Sequence, residues 1–136
     1  MKRKIIAVVG ILGILSLLIG YKMYNKPHAD IAEAKSIATF SAADLQKTFS
    51  DKEEEANTKY LDKVITVSGK IMSQKTEGDK VILQLETGDP MSTVICNLDP
   101  FSTHRRKEFK EGEMVQFKGT CSGYLSDVIL DRCVEL

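Results

Sequence analysis

Between Lys4 and Lys22 the chain runs through IIAVVGILGILSLLIGY, seventeen residues without a charge and without a polar face. At ~1.5 Å per residue this is the short limit for a helix that crosses a bilayer. Lys2, Arg3 and Lys4 before the run, and Lys22 and Lys26 after it, extend its reach by snorkelling to the headgroups. Tyr21 and Tyr24 fall where interfacial aromatics sit. The missing polar face argues against a buried core helix. A cleaved signal peptide fits the basic start, but the nearest small-x-small pattern, Ala32-Glu33-Ala34, lies too far downstream. No Cys follows the run to take a lipid. The pattern predicts an uncleaved anchor over residues 1–24, and the excess of positive charge before it predicts a cytoplasmic N-terminus.

Residues 25–40 hold no sustained period and read as a tether. Ser41 and Asp44 then form a capping-box pattern, with Leu45, Thr48 and Phe49 as one stripe at helical spacing, so one helix is predicted over 42–58. After Tyr60 the period becomes two. Ile65, Val67, Gly69 and Ile71 share one face of a strand over 63–72, and Val81, Leu83 and Leu85 one face of a second. The turn chemistry of residues 74–79 (QKTEGD) separates them. A third strand is predicted over 92–98. Residues 100–110 (PFSTHRRKEFK) break the series as a short helix, with Phe101 and Phe109 as core contacts. Strands over 113–121 (Val115, Phe117, Gly119, Cys121 inward) and 128–136 (Val128, Leu130, Val134, Leu136 inward) complete the chain.

The order of one helix, three strands, a short helix and two strands matches the five-stranded Greek-key barrel called the OB-fold. The expected class is therefore mainly β with flanking helices, an OB-fold domain over 41–136 preceded by the tether and the transmembrane helix. Closure removes the open edges of a flat sheet. Gly69 and Gly119, inward and mid-strand, mark where the wall bends.

Two segments, YLDKVITVSGKI from Tyr60 to Ile71 and GTCSGYLSDVILDRC from Gly119 to Cys133, resemble the tRNA-anti-like OB-fold proteins, small bacterial proteins often carrying an N-terminal hydrophobic segment. The resemblance covers residues 41–136 and rests on a strand ending in Val-x-Gly and a Gly-Tyr-Leu loop before the last strand. These are fold motifs without chemistry, and the family name records a likeness to anticodon-binding domains.

Charge narrows the partners. The 136 residues carry 19 Lys+Arg and 19 Asp+Glu, but no acid lies in the first 26 positions, so the body from Pro27 onward has 14 basic and 19 acidic residues, a net of −5. An acidic body, in a chain with only nine Phe plus Tyr, two of them at the membrane end, and no Trp, is poor material for gripping a polyanion or stacking bases. The basic run His104-Arg105-Arg106-Lys107 is followed at once by Glu108, Glu111 and Glu113 and reads as a solvated face. Nucleic acid is not the expected partner. A nucleic-acid-binding domain facing the cytoplasm is the alternative, and self-association through the helix at 42–58 a third reading.

Cys96, Cys121 and Cys133 lack metal spacing, and His28 and His104 lie far from them in sequence, so no metal or other cofactor is expected. An extracytoplasmic address makes a Cys121–Cys133 disulfide a candidate. Hairpin geometry opposes it, because Cys121 would face about Val128 and leave Cys133 roughly 17 Å further along the strand; a bulge near Gly123 changes that. Cys96 and Cys133 are the other neighbouring pair. No Ser/His/Asp or Cys/His pattern appears, and Asp127 and Asp131 read as turn and edge, so no enzyme is expected. The sequence predicts a single-pass cell-membrane protein whose domain lies outside the cytoplasm, in the periplasm, and binds a protein, an envelope polymer or a small molecule. By analogy with other OB-folds the site falls on the second strand and the rim loops, at Gln74, Lys75, Lys80, Ile82, Gln84 and Tyr124.

Overall fold

The computed structural model describes residues 1–25, 30–102 and 106–136. Helix α1, Lys2–Tyr24, buries none of its residues and is long and apolar enough to cross a membrane. Its 23 residues span ~35 Å at ~1.5 Å each, against a hydrocarbon core of ~30 Å.

The body is a closed five-stranded barrel. Strands β2 (Val64–Glu77), β3 (Lys80–Glu86), β4 (Thr93–Leu98), β6 (Val128–Glu135) and β5 (Met114–Tyr124) pair in that order, and a β2–β5 ladder closes the ring. The β4–β6 pair is parallel and the other barrel pairs are antiparallel. This is the OB-fold that the alternation predicts. Ile65, Val67, Ile71, Leu83, Leu85, Val94, Phe117, Val128 and Leu130 fill the interior, as period two requires. The hairpin arms are longer than expected. Strand β2 runs to Glu77, and the turn contracts to Gly78 and Asp79, with Gly78 at φ 61.

Helix α2 (Ala42–Asp51) plugs one end of the barrel with Leu45 and Phe49, both fully buried. Each such side chain contributes roughly 1.5–3 kcal/mol by leaving water. Its start is the expected cap, the Asp44 N–H donating to Ser41 Oγ at 3.1 Å. The single helix expected over 42–58 is instead two, broken at Lys52 (φ −146, ψ 68), with α3 running Glu53–Tyr60. Glu53, Glu54 and Glu55 thereby occupy the first turn of a new helix, where carboxylates meet the positive end of the dipole.

Three further expectations are corrected. Residues 30–40 are not a free tether: Ile31 is 3% exposed, and β1 (Thr39–Ser41) pairs in parallel with β2. No helix forms among the described residues of 100–110; Phe109 packs on Phe117 with ring centroids 5.6 Å apart, but Phe101 is 75% exposed. Thr103, His104 and Arg105 of that segment, and His28, lie outside the described residues. Finally, Val134 and Leu136 do not point inward. Arg132 takes φ 55, and the register passes from Cys96↔Leu130 to Leu98↔Cys133, so three steps on β6 match two on β4. This bulge shifts the phase by one. Cys133 becomes fully buried, Val134 is half-buried, and Leu136 is 60% exposed.

Candidate functional site

The outward side of β3, β4 and β6 carries an open groove of about 440 Å³, lined by Lys80, Ile82, Asn97, Phe101, Asp131 and Arg132 among others. Strand geometry builds it. Ile82 and Asn97 are register partners on β3 and β4, both pointing away from the core. Asn97 Nδ2 donates to Asp131 Oδ1 at 2.6 Å, and the Ser122 hydroxyl donates to the other carboxylate oxygen, so Asp131 is fixed from two sides. The bulge that turns Cys133 inward leaves Arg132 in the groove wall, where its guanidinium lies 3.4 Å from Asp99 Oδ2. Asp99, 2% exposed, also accepts from the Phe101 N–H at 3.0 Å and from Ser102 Oγ at 3.3 Å, which sets Phe101 at the groove's end.

A second depression, about 320 Å³, shares Phe101 and Arg132 and reaches Asp30 and Ala32. A third, about 210 Å³, lies at the α2–α3 break beside Lys52 and Tyr60. The main groove holds charges of both signs, Lys80 and Arg132 with Glu77 and Asp131, over an apolar floor at Ile82. It is not a basic channel.

Of the six residues read from the sequence, Lys80 and Ile82 lie together in this groove. Lys75 is the register partner of Ile82 on β2, and its ammonium pairs with Glu77 at 2.6 Å. The Gln84 side chain accepts from Ser73 Oγ at 2.6 Å. Gln74 serves as a clamp, with Nε2 donating to the Lys107 carbonyl at 3.1 Å and Oε1 accepting from the Phe109 N–H at 2.8 Å. Tyr124 sits under α2, its ring 5.8 Å from that of Phe49 and its hydroxyl 3.5 Å from Gln46 Nε2. The structure adds Asn97, Phe101, Asp131 and Arg132. Outward alternation on β4 and β6 signals Asn97 and Asp131; nothing in the pattern signals the bulge that delivers Arg132.

The segment that leads into β5 is held by charge. Arg106 pairs with Glu113 and, through two hydrogen bonds of 3.2 and 2.7 Å, with Glu135, and its guanidinium lies 4.4 Å from the centre of the Phe109 ring. The Arg106 guanidinium, helped by the Lys110 N–H, holds the Glu113 carboxyl below the usual range, and the two carboxylates raise Arg106 in turn. At the start of β4 the Thr93 N–H and hydroxyl donate to Asp127 Oδ1 at 2.6 and 3.0 Å, tying β4 to the loop before β6.

All three cysteines are buried free thiols, and the Cys121–Cys133 bridge is not formed. Cys121 faces Leu130, because the register slips at Gly123 (φ 135), and Cys133 lies over Gly119. The Cys133 sulfur turns toward the Leu130 carbonyl, and Leu130 is the register partner of Cys96. Burial, then the neighbouring Cys96, push the Cys133 thiol well above its ordinary pKa. Among the described residues no group of three or more His, Cys, Asp or Glu is placed to hold a metal ion.

The model of the tRNA_anti-like family matches residues 1–135. A comparison with curated proteins found no match. Among solved structures, the chain is similar to a lipoprotein of Klebsiella pneumoniae subsp. pneumoniae provisionally described as nucleic acid-binding, with TM-score 0.56 and 18% identity over 82% of this chain and 99% of that one. It is also similar to a Leishmania major protein provisionally described as an aspartyl-tRNA synthetase (TM-score 0.47, 14% identity, 88% of this chain and 25% of that one). A third likeness is to the telomere capping protein Ten1 of Saccharomyces pombe (TM-score 0.42, 16% identity, 74% and 81%).

Proposed function

The chain belongs to the tRNA_anti-like family, and from that premise we propose that it is a membrane-anchored binding module, its barrel outside the cytoplasm and its ligand taken in the groove on β3, β4 and β6. One observation carries this reading. The groove lies across the second and third strands of the barrel, the place where OB-folds take their ligands. The ligand-facing residues in this proposal are Lys80, Ile82, Asn97, Phe101, Asp131 and Arg132, with Gln84 on β3, Gln74 and Lys75 on the neighbouring β2, and Tyr124 at the opposite rim. An apolar floor between charges of both signs suits a protein segment, an envelope polymer or a small molecule better than a polyanion, which needs a continuous basic track. The module binds without catalysis. Helix α1 supplies the anchor, with its basic tip in the cytoplasm.

The cytoplasmic nucleic-acid reading takes its support from the described role of the Klebsiella lipoprotein. Topology separates the two. A reporter enzyme that is active only outside the cytoplasm, fused after Leu136, is expected to be active; an inactive but stable fusion overturns the extracytoplasmic reading.

A further inference from the structure

From Ile31 to Ser41 the chain is fastened to the barrel wall. Ile31 is buried, Lys118, itself only 9% exposed, donates from Nζ to the Ala32 carbonyl at 2.6 Å, and the Ile37 and Thr66 N–H groups bond across to Val64 and Ala38. The leash between membrane helix and barrel is therefore short. From Asn25 at the end of α1 to Asp30 are five residue steps, ~17 Å at full extension. A barrel on so short a leash keeps the end that bears Asp30 toward the membrane.

That end has a distinctive surface. Asp30 and Ala32 line one depression with Phe101, which is 75% exposed and stands just beyond the last residue of β4. Met91, 87% exposed, stands before the first residue of the same strand. The six residues of β4 between them span ~20 Å. Phe101 and Met91 thus mark the near and far ends of the barrel. An exposed aromatic ring at the near end is a side chain that the lipid headgroup zone accepts.

We propose that the Phe101 end of the barrel rests on the bilayer that holds α1, so that Phe101 enters the interface and the groove opens beside the membrane surface. The proposal rests on the reading of α1 as a membrane span. Its occupant is the bilayer itself, selected by leash length and by the shared position of Asp30 and Phe101.

The chain has no Trp, so each single substitution installs one unambiguous fluorophore. Full-length Tyr21→Trp, Phe101→Trp and Met91→Trp variants are reconstituted into phosphatidylcholine vesicles with brominated acyl chains. Circular dichroism checks that each retains the wild-type spectrum. Tyr21→Trp is expected to be strongly quenched, Phe101→Trp to be quenched about half as strongly or more, and Met91→Trp to match its emission in unbrominated vesicles. If Tyr21→Trp is quenched but Phe101→Trp behaves like Met91→Trp, the proposal falls and the anchor stands. If Tyr21→Trp is itself unquenched, the anchor falls and takes the proposal with it.

Discussion

A β-carbon placed on Gly119 would lie 2.6 Å from the sulfur of Cys133 and 3.1 Å from the carbonyl oxygen of Asp131. The glycine on β5 is the space into which the bulge at Arg132 turns the Cys133 thiol, so the closure of β5 on β6 depends on a missing side chain.

Gly119→Ala is expected to destabilise the barrel by roughly 1–3 kcal/mol in urea unfolding, the usual cost of overpacking a tight core. Combining it with Cys133→Ala removes the sulfur, the tightest of the contacts, while the Asp131 carbonyl stays, and the double variant should lose less than the sum of the single losses by about 0.5–3 kcal/mol. Additive losses would mean that the contact is not the cause.

The three thiols are buried and unbonded. A thiol reagent is expected to leave the native protein unlabelled and to find three thiols per chain after unfolding without reductant. One thiol per unfolded chain would reveal a bridge.

The Arg106 clamp makes an acid-sensitive contact. Because Glu113 has a lowered pKa when folded, its contribution is present above the unfolded value and is lost as pH falls through the folded one. The melting temperature should therefore fall more steeply on acidification below about 4.5 in the wild type than in Arg106→Gln, where the partner is absent. Parallel curves would remove the clamp from the account.

Gln74 joins β2 to the backbone of Lys107 and Phe109 through both ends of its amide. Gln74→Ala should cost about 1 kcal/mol and speed hydrogen exchange at the Phe109 N–H, while leaving the Leu83 N–H in the β3 core slow. Unchanged exchange at Phe109 would show the clamp to be idle.

Period-two alternation made the five strands, their inward faces and the barrel legible, because a half-buried strand writes its geometry directly into its side chains. The capping pair Ser41 and Asp44 was equally readable, since that motif is local. What escaped the pattern depends on contacts far apart in sequence. The phase change at Arg132 follows from the space at Gly119, thirteen positions away, and cannot be seen in β6 alone. The docking of residues 30–41 follows from Lys118 and the edge of β2, neither of which a short polar stretch announces. The same limits apply to the groove. Lys80 and Ile82 lie on one face of a well-patterned strand, so their outward placement shows in the sequence, whereas Arg132 enters the groove through the bulge and Phe101 through the Asp99 cap. The outward position of Gln74 shows in the pattern, while its partners at Lys107 and Phe109 do not.

The groove is tested most directly by crosslinking the full chain in its native membranes. A photo-reactive amino acid is installed in place of Ile82, and in a separate variant in place of Gln116, an exposed position on β5 two strands away in the barrel. The account predicts a discrete adduct from position 82, none from position 116, and loss of that adduct when Lys80→Glu is added. The same adducts from both positions, or none from position 82, would contradict it.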